Sequence, residues 1–262
     1  MKVTQIIEKL EAIAPINYAE KWDNVGLLVG TREKDAKRIM IALDATDEVI
    51  EQAIENNVDM LITHHPMIFS AMKKITEEDF IGRRILALAK HEISYYAMHT
   101  NCDVGVMNDV AADKIGLESE DVLEEVTKTE DGKAMGIGKV GMLKQEMTIQ
   151  KIATLVKNVF DTDYVRVTGE LSNKVQRVAI STGAGKSMVS YALDKHAQLL
   201  ITGDMDHHTA IDALAQGLQI IDAGHFGTEH FMVEYVWNYL CQCLPEDMDV
   251  IRAEETNPFQ TI

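Results

Sequence analysis

Short apolar runs alternate with amphipathic stretches along the whole chain. Runs rich in β-branched and apolar residues fall at Val25–Val29, Arg38–Leu43, Met60–Thr63, Ile93–Met98, Tyr164–Thr168, Arg177–Ser181, Gln198–Thr202 and Gln219–Asp222. Between them, apolar positions recur with the helical period over Val3–Ile13, Glu48–Asn56, Ile81–His91, Met107–Ile115, Ile149–Val159, Met188–Lys195, His208–Gln216 and Glu229–Leu244. Strands that alternate with helices signal crossover connections, so the pattern predicts an α/β protein with mixed, mainly parallel sheets. At ESEDVLEEVTKTEDGK (Glu118–Lys133) the chain turns acidic and polar, and a glycine-rich strand region, MGIGKVGML, follows. This predicts a junction between two α/β repeats, 1–127 and 128–262, with the C-terminal helix packing back on the first.

The two halves resemble each other. Shifted by 139 positions, residues 25–65 pair without a gap with 164–204, matching Gly30 to Gly169, Arg38 to Arg177, Ile41 to Ile180, Ala45 to Ala184, Ala53 to Ala192 and Leu61-Ile-Thr63 to Leu200-Ile-Thr202. Shifted by 126, SYYAMHTNCD lies over IIDAGHFGTE, so His99 falls on His225 and Asp103 on Glu229. A strand followed by H-x-x-x-[D/E] thus occurs once in each half, which points to a duplication.

LITHHPMIF (Leu61–Phe69) sets two histidines side by side where a strand stops. Neighbours on a strand face opposite ways, but Pro66 pre-sets a turn, and past the strand end both imidazoles can turn to one cavity. Ligand sites of open α/β sheets lie beyond the carboxyl ends of the strands. His64, His65, His99, Asp103, His225 and Glu229 are expected to converge there. Imidazole with carboxylate suits Zn, Fe, Mn or Co, and carboxylates can bridge two ions about 3.5–4 Å apart. Gly227-Thr228 reads as a helix start, placing Glu229 in a first turn where the macrodipole favours its ionised form. His99 stands as a ligand, a hydrogen-bond donor behind the ligands or a proton-transfer group. Cys102 reads as a bystander, and His207-His208 as a surface pair at a helix start or an outer element of the site. STGAGKS (Ser181–Ser187) is not a phosphate-binding P-loop, because Ile180 stands where its first glycine should be. It reads as a tight turn, with anion binding by its amides the alternative.

Composition narrows the partners. Net charge is −17, which opposes wrapping of nucleic acid. No apolar run is long enough for a membrane span, and the N-terminus reads as an amphipathic helix, not a signal peptide. Three cysteines without a CxxC pair suggest a reducing cytoplasm.

Taken together, KWDNVGLLVG, LITHHPMIF, HTNCDVG, TGDMDHH and DAGHFGTEH resemble the NIF-three-like family, also labelled GTP cyclohydrolase I type 2 homologues or dinuclear metal centre proteins. The resemblance runs through essentially the whole chain and implies two intertwined α/β repeats. It also implies a homohexameric ring with inward-facing metal sites. Two divalent ions per chain would be held by His64, His65, Asp103, His225 and Glu229, with His99 beside them. The chain matches the shorter family form, without an inserted domain, and departs from the pattern at STGAGKS, where Lys186 stands. By resemblance the activity is metal-dependent hydrolysis of a nucleotide-like substrate, with GTP as the labelled one and a phosphoester or cyclic amide equally suited to the metals. The competing reading is a non-enzymatic, ring-forming metal-binding or regulatory protein.

Overall fold

The computed structural model describes residues 1–260. They form two compact units: Met1–Cys102 with Met232–Thr256, and Asp103–Phe231 with residues 257–260. The chain therefore passes between units at Cys102–Asp103, Phe231–Met232 and Thr256–Asn257, where the sequence suggested one junction near residue 127.

The first unit holds α1 (Val3–Ile13), β1 (Gly26–Val29), β2 (Arg38–Ala42), α2 (Asp47–Glu55), β3 (Met60–Thr63), α3 (Phe80–Lys90), β4 (Ser94–Ala97) and the single turn α4 (Thr100–Cys102). The second holds a π-turn at Asp103–Met107, α5 (Asn108–Lys114), β5 (Leu117–Lys128), β6 (Ala134–Thr148), α6 (Ile149–Val159), β7 (Arg166–Thr168), β8 (Lys174–Ala184), α7 (Met188–Asp194), β9 (Leu199–Gly203), α8 (His207–Ala215), β10 (Gln219–Asp222) and α9 (His225–Glu229). From Met232 the chain rejoins the first unit through α10 (Phe231–Cys243) and β11 (Asp249–Arg252).

The first sheet has the order β1-β4-β3-β2-β11, parallel except at β1/β4. On one face Met40, Ala42, Leu61, Tyr95 and Ala97 pack with side chains of α2 and α3, while Ile39, Ile41, Met60, Ile62 and Tyr96 are buried on the other. Burial on both faces is why these strands read as unbroken apolar runs. The second sheet, β5-β6-β8-β9-β10-β7, is parallel only at β8/β9 and β9/β10. The expectation of mainly parallel pairing therefore holds for the first sheet and fails for the second. The short turn between β5 and β6 can only join antiparallel strands, and β6/β8 and β7/β10 are antiparallel as well.

The duplication is written into the backbone. The orders β1-β4-β3-β2 and β7-β10-β9-β8 are the same arrangement. Asn57 and His196, 139 positions apart, both take the left-handed conformation, at φ of 51° and 57°. Around them the hydrogen bonds repeat residue for residue: Val58 N to Ala53 O and Ala197 N to Ala192 O, each 2.9 Å. The shared arginines have one job. Arg38 Nη1 caps the carbonyl of Asn56, which closes α2, and Arg177 Nε caps that of Lys195, which closes α7. Gly30 and Gly169 both have positive φ, and a Cβ on either would strike the first residue of the neighbouring strand, Ser94 or Gln219.

The acidic stretch expected as a junction is β5 itself, at the edge of the second sheet. Charged residues are usually sparse in strands but suit an edge, where they discourage pairing with other chains. Its register against β6 steps twice, from Ser119/Gly141 to Asp121/Val140 and from Glu125/Gly136 to Thr127/Met135. A glycine faces each step. A Cβ at Gly141 would stand 2.0 Å from the Glu118 carbonyl oxygen, and one at Gly136 would stand 1.8 Å from that of Glu124. The glycines of MGIGKVGML are thus the partners of two β-bulges. Gly141→Ala is expected to push β5 off β6 and to destabilise the protein by about 1–3 kcal/mol. The urea midpoint should fall accordingly; an unchanged midpoint would refute the close approach.

Candidate metal centre

Three histidines of the first unit, His64, His65 and His99, are each fixed just past a strand by Nδ1. His64 and His65 follow β3. His64 Nδ1 lies 2.9 Å from the carbonyl oxygen of Met98, and His65 Nδ1 lies 2.9 Å from Asp44 Oδ1. His99 follows β4, its Nδ1 2.9 Å from Asp23 Oδ1. A carbonyl or ionised carboxylate can only accept, so each Nδ1 carries the proton and each Nε2 carries the lone pair. That is the tautomer in which a histidine binds a metal through Nε2. The three rings are mutual neighbours, with centroids 4.9, 5.3 and 5.6 Å apart, and one nitrogen from each lies within 4.8 Å of the others.

The turn lets adjacent histidines share one cavity because its backbone is locked. Tyr95, on the neighbouring strand, accepts from Met67 N at 2.8 Å and donates to the His65 carbonyl at 3.0 Å. Thr63 Oγ1 also reaches that carbonyl, at 2.8 Å. Burial pushes the Tyr95 phenol up to about 12 despite the hydrogen bonds that oppose it, so it stays a neutral donor. His65 N bonds the carbonyl of Leu43, and the same Leu43 and Asp44 amides are held by Glu255 at 2.7 and 3.0 Å. Burial raises the Glu255 carboxyl above its ordinary value even though both amides pull it down.

Asp23 is the other fixed point. Its side chain is wholly buried, with Oδ1 on His99 and Oδ2 accepting from the Thr100 amide at 3.0 Å and hydroxyl at 2.5 Å. Burial works to raise its pKa, but the bonds from His99 and Thr100 outweigh it and bring the carboxyl down to about 2.

The second unit presents its own set. His225 opens α9 behind Gly224, whose φ of 75° makes the turn from β10. Glu229 lies one helical turn on, on the same face, and its Oε2 is 3.0 Å from His225 Nε2. His225 Nδ1 is 2.7 Å from Asp204 Oδ2, so this ring has a carboxylate oxygen beside each of its nitrogens and neither contact alone selects a tautomer. Asp103, at the start of the π-turn, brings a carboxylate oxygen within 4.8 Å of one on Glu229. Helix α9 starts at His225, not at Gly227-Thr228, so Glu229 ends a short helix and gains nothing from the positive end of a macrodipole.

The glycine-rich loop has a different use from either expected one. Gly183, at φ of +67°, donates to Thr228 Oγ1, and a Cβ there would stand 2.2 Å from Glu229 Oε1. Ser181–Ala184 therefore leaves room for the Glu229 carboxylate. Lys186 pairs with Asp206 at 3.0 Å, the residue that caps α8. His207 and His208 begin α8, and among the described residues neither joins a metal-capable cluster; nor does the buried Cys102.

All six residues singled out in the sequence thus fall into two sets, His64, His65 and His99 in the first unit and Asp103, His225 and Glu229 in the second. Sequence reasoning missed the acceptors behind them: Asp23 lay without an assigned role inside KWDNVGLLVG, Asp44 carried no signal, and Asp204 lay unremarked inside TGDMDHH. A carboxylate just past or just before a strand end was the available clue. The imidazole and carboxylate donors fit a divalent ion of the borderline class, Zn, Fe, Mn or Co.

Because Asp23 is held below its ordinary pKa of 3.8, its stabilising contribution is complete above about pH 4 and fades as pH falls through about 2. The stability difference between wild type and Asp23→Asn, measured by urea unfolding, should therefore be constant at pH 5–7 and shrink between pH 4 and pH 2. A difference that does not change over that range would rule out the ionised Asp23 contact.

Residues 1–258 match the profile of the Duf34/NIF3 (NGG1p interacting factor 3) family. The GTP cyclohydrolase 1 type 2 homolog of Clostridium perfringens is 36% identical over 265 residues, covering 100% of both chains. That of Streptococcus pneumoniae is 35% identical over 272 residues, again covering 100% of both. Among solved structures, a Bacillus cereus protein related to NIF3 superposes with a TM-score of 0.89 at 25% identity, over 100% of this chain and 99% of that one. Reduced HcgD from Methanocaldococcus jannaschii superposes with a TM-score of 0.84 at 30% identity, over 96% of this chain and 97% of that one. With its two mixed sheets and its histidine and carboxylate clusters, the chain belongs to the Duf34/NIF3 family.

Proposed function

We propose that this protein binds two divalent metal ions through His64, His65, Asp103, His225 and Glu229, and hydrolyses a nucleotide-like substrate. The observation that carries this reading is the contact pattern of the imidazoles: His64, His65, His99 and His225 each have Nδ1 beside a carbonyl or carboxylate oxygen, which leaves Nε2 as the nitrogen to meet an ion or a proton. Bound ions would acidify a water and polarise the bond under attack.

The protein's own part is orientation and proton handling. Asp44 holds His65 in the tautomer that ligates through Nε2, Asp204 would take the His225 Nδ1 proton once Nε2 meets an ion, and Gly183 leaves the Glu229 carboxylate its space. His99 is the proton carrier. Asp23 fixes its Nδ1–H, so Nε2 is the atom that accepts a proton from the nucleophile and returns it to the leaving group. The names of the curated relatives support a purine nucleotide as substrate and the resemblance supports a homohexameric ring, both of which belong to this proposal.

Elemental analysis of protein purified without added metal, and again after reconstitution, tests the centre. Wild type should carry close to two ions per chain, and Glu229→Ala should lose them. His99→Ala should keep both ions while nucleotide hydrolysis falls roughly 100- to 10,000-fold, the usual weight of general acid–base catalysis. One ion or none in reconstituted wild type would overturn the dinuclear reading. Full occupancy without turnover of any nucleotide would favour a non-enzymatic metal-binding protein instead.

A further inference from the structure

Trp22 and Phe69 are large, half-exposed aromatic residues in a protein with few aromatics, at 58% and 55% of full exposure. They stand together, ring centroids 5.8 Å apart, and Trp22 also meets His99 edge-on at 6.1 Å. Phe69, Trp22 and His99 thus stand in a row that leads to the histidine cluster of the first unit, the Phe69 ring tilted 53° and the His99 ring 75° from the plane of Trp22.

Exposed tryptophans on surface loops are normally free to move, and this one is fixed. The residue after it, Asp23, is tied by one oxygen to His99 and by the other to Thr100. Asn24 Nδ2 donates to the carbonyl of Ile68, the residue before Phe69, at 2.5 Å. The loop closes on itself through Asp23 N to Glu20 O at 3.0 Å, and Glu20 N reaches Thr100 Oγ1 at 2.9 Å. The two segments that carry the rings are therefore stitched to each other and to His99. Such preorganisation lowers the entropy lost when a ligand binds, and it leaves apolar ring surface in water until something covers it.

The size of the surface selects the occupant. An aromatic side chain offers about 150–250 Å² in all, and each of these rings is already half covered. A stable protein interface buries about 800 Å² on each partner, well beyond what the pair provides. One planar ring fits. Its edge would lie against His99, the proton carrier of the proposed reaction. We infer that the Trp22–Phe69 pair is a stacking platform for a planar heteroaromatic ring, a purine or a ring of similar size, and holds the substrate's base beside His99. This deepens the hydrolase reading and rests on it for the ligand's fate, but stacking itself needs no metal.

The test uses full-length protein, with guanosine and adenosine as ring probes and ribose 5-phosphate as the ring-free control. The chain has two tryptophans, Trp22 and Trp237, so quenching at Trp22 is readable as the difference between wild type and Trp22→Phe. The nucleosides should quench wild-type emission saturably, and ribose 5-phosphate should not. By calorimetry, Trp22→Leu should bind nucleoside about 5- to 150-fold more weakly, the equivalent of about 1–3 kcal/mol for a stacked base. Trp22→Phe, which keeps a ring face, should stay within a few-fold of wild type. Metal content and elution volume of Trp22→Leu should match wild type. Equal affinity in wild type and Trp22→Leu would overturn the platform, as would no nucleoside binding at all. A Trp22→Leu protein of smaller assembly size would also overturn it, by assigning the rings to a contact with a second copy. Nucleoside binding through Trp22 in a protein that never takes up metal would sink the hydrolase reading and leave the platform standing. Metal-dependent hydrolysis with KM unchanged in Trp22→Leu would do the reverse.

Discussion

The arrangement turns on one recurring interaction, an imidazole Nδ1–H held by an oxygen that can only accept. It occurs at His64, His65 and His99, with a backbone carbonyl serving the first and aspartates the others. A histidine otherwise chooses between two tautomers of similar energy, and a wrong choice turns a ligand's lone pair away from its metal. At His64, His65 and His99 the proton held on Nδ1 removes that choice. Much of the surrounding structure exists to hold those acceptors still. Glu255 clamps the Leu43 and Asp44 amides, Thr100 clamps Asp23, and Tyr95 with Thr63 locks the turn after β3.

Duplication explains why such a site can be built twice with different chemistry. The scaffold, three parallel strands with an antiparallel fourth, recurs together with its left-handed helix ends and its capping arginines. These features are local backbone solutions that tolerate little change. The residues at the strand ends differ between the repeats, each under its own constraint: a Cβ at Gly203 would stand 2.6 Å from the Gly224 carbonyl carbon, and Asp204 is left-handed at φ of 52°. There the first repeat carries His64-His65 where the second carries Gly203-Asp204, while His99 and His225 remain equivalent. The first repeat thus adds two imidazoles at this point and the second a carboxylate, while each keeps one histidine and one carboxylate in H-x-x-x-[D/E].

Backbone room proved as decisive as side-chain chemistry. Gly183 has no Cβ because Glu229 occupies that space, and Gly136 and Gly141 have none because β5 bulges against them. In both places the glycines of a glycine-rich stretch, one read as a turn and the other as a strand, record close packing. The rigid loop beneath Trp22 shows the converse, where polar side chains are used up to keep an apolar ring in water.

The apolar runs and helical periods determined the α/β class and most elements, because strands buried on both faces and amphipathic helices leave a direct trace in the pattern. The sequence also contained the duplication and the six chemistry-bearing residues, since His-His at a strand end and the paired H-x-x-x-[D/E] are local signals. Only the tertiary structure decided what had no local signal. The antiparallel edge of the second sheet comes from a charged strand whose partner is needed to define it. The start of α9 depends on a left-handed Gly224, which no spacing rule reveals. Asp23 and Asp44 stand 76 and 21 residues from the histidines they orient. Contacts at such separations are made by strands laid side by side, and a linear pattern carries no trace of which strand lies next to which.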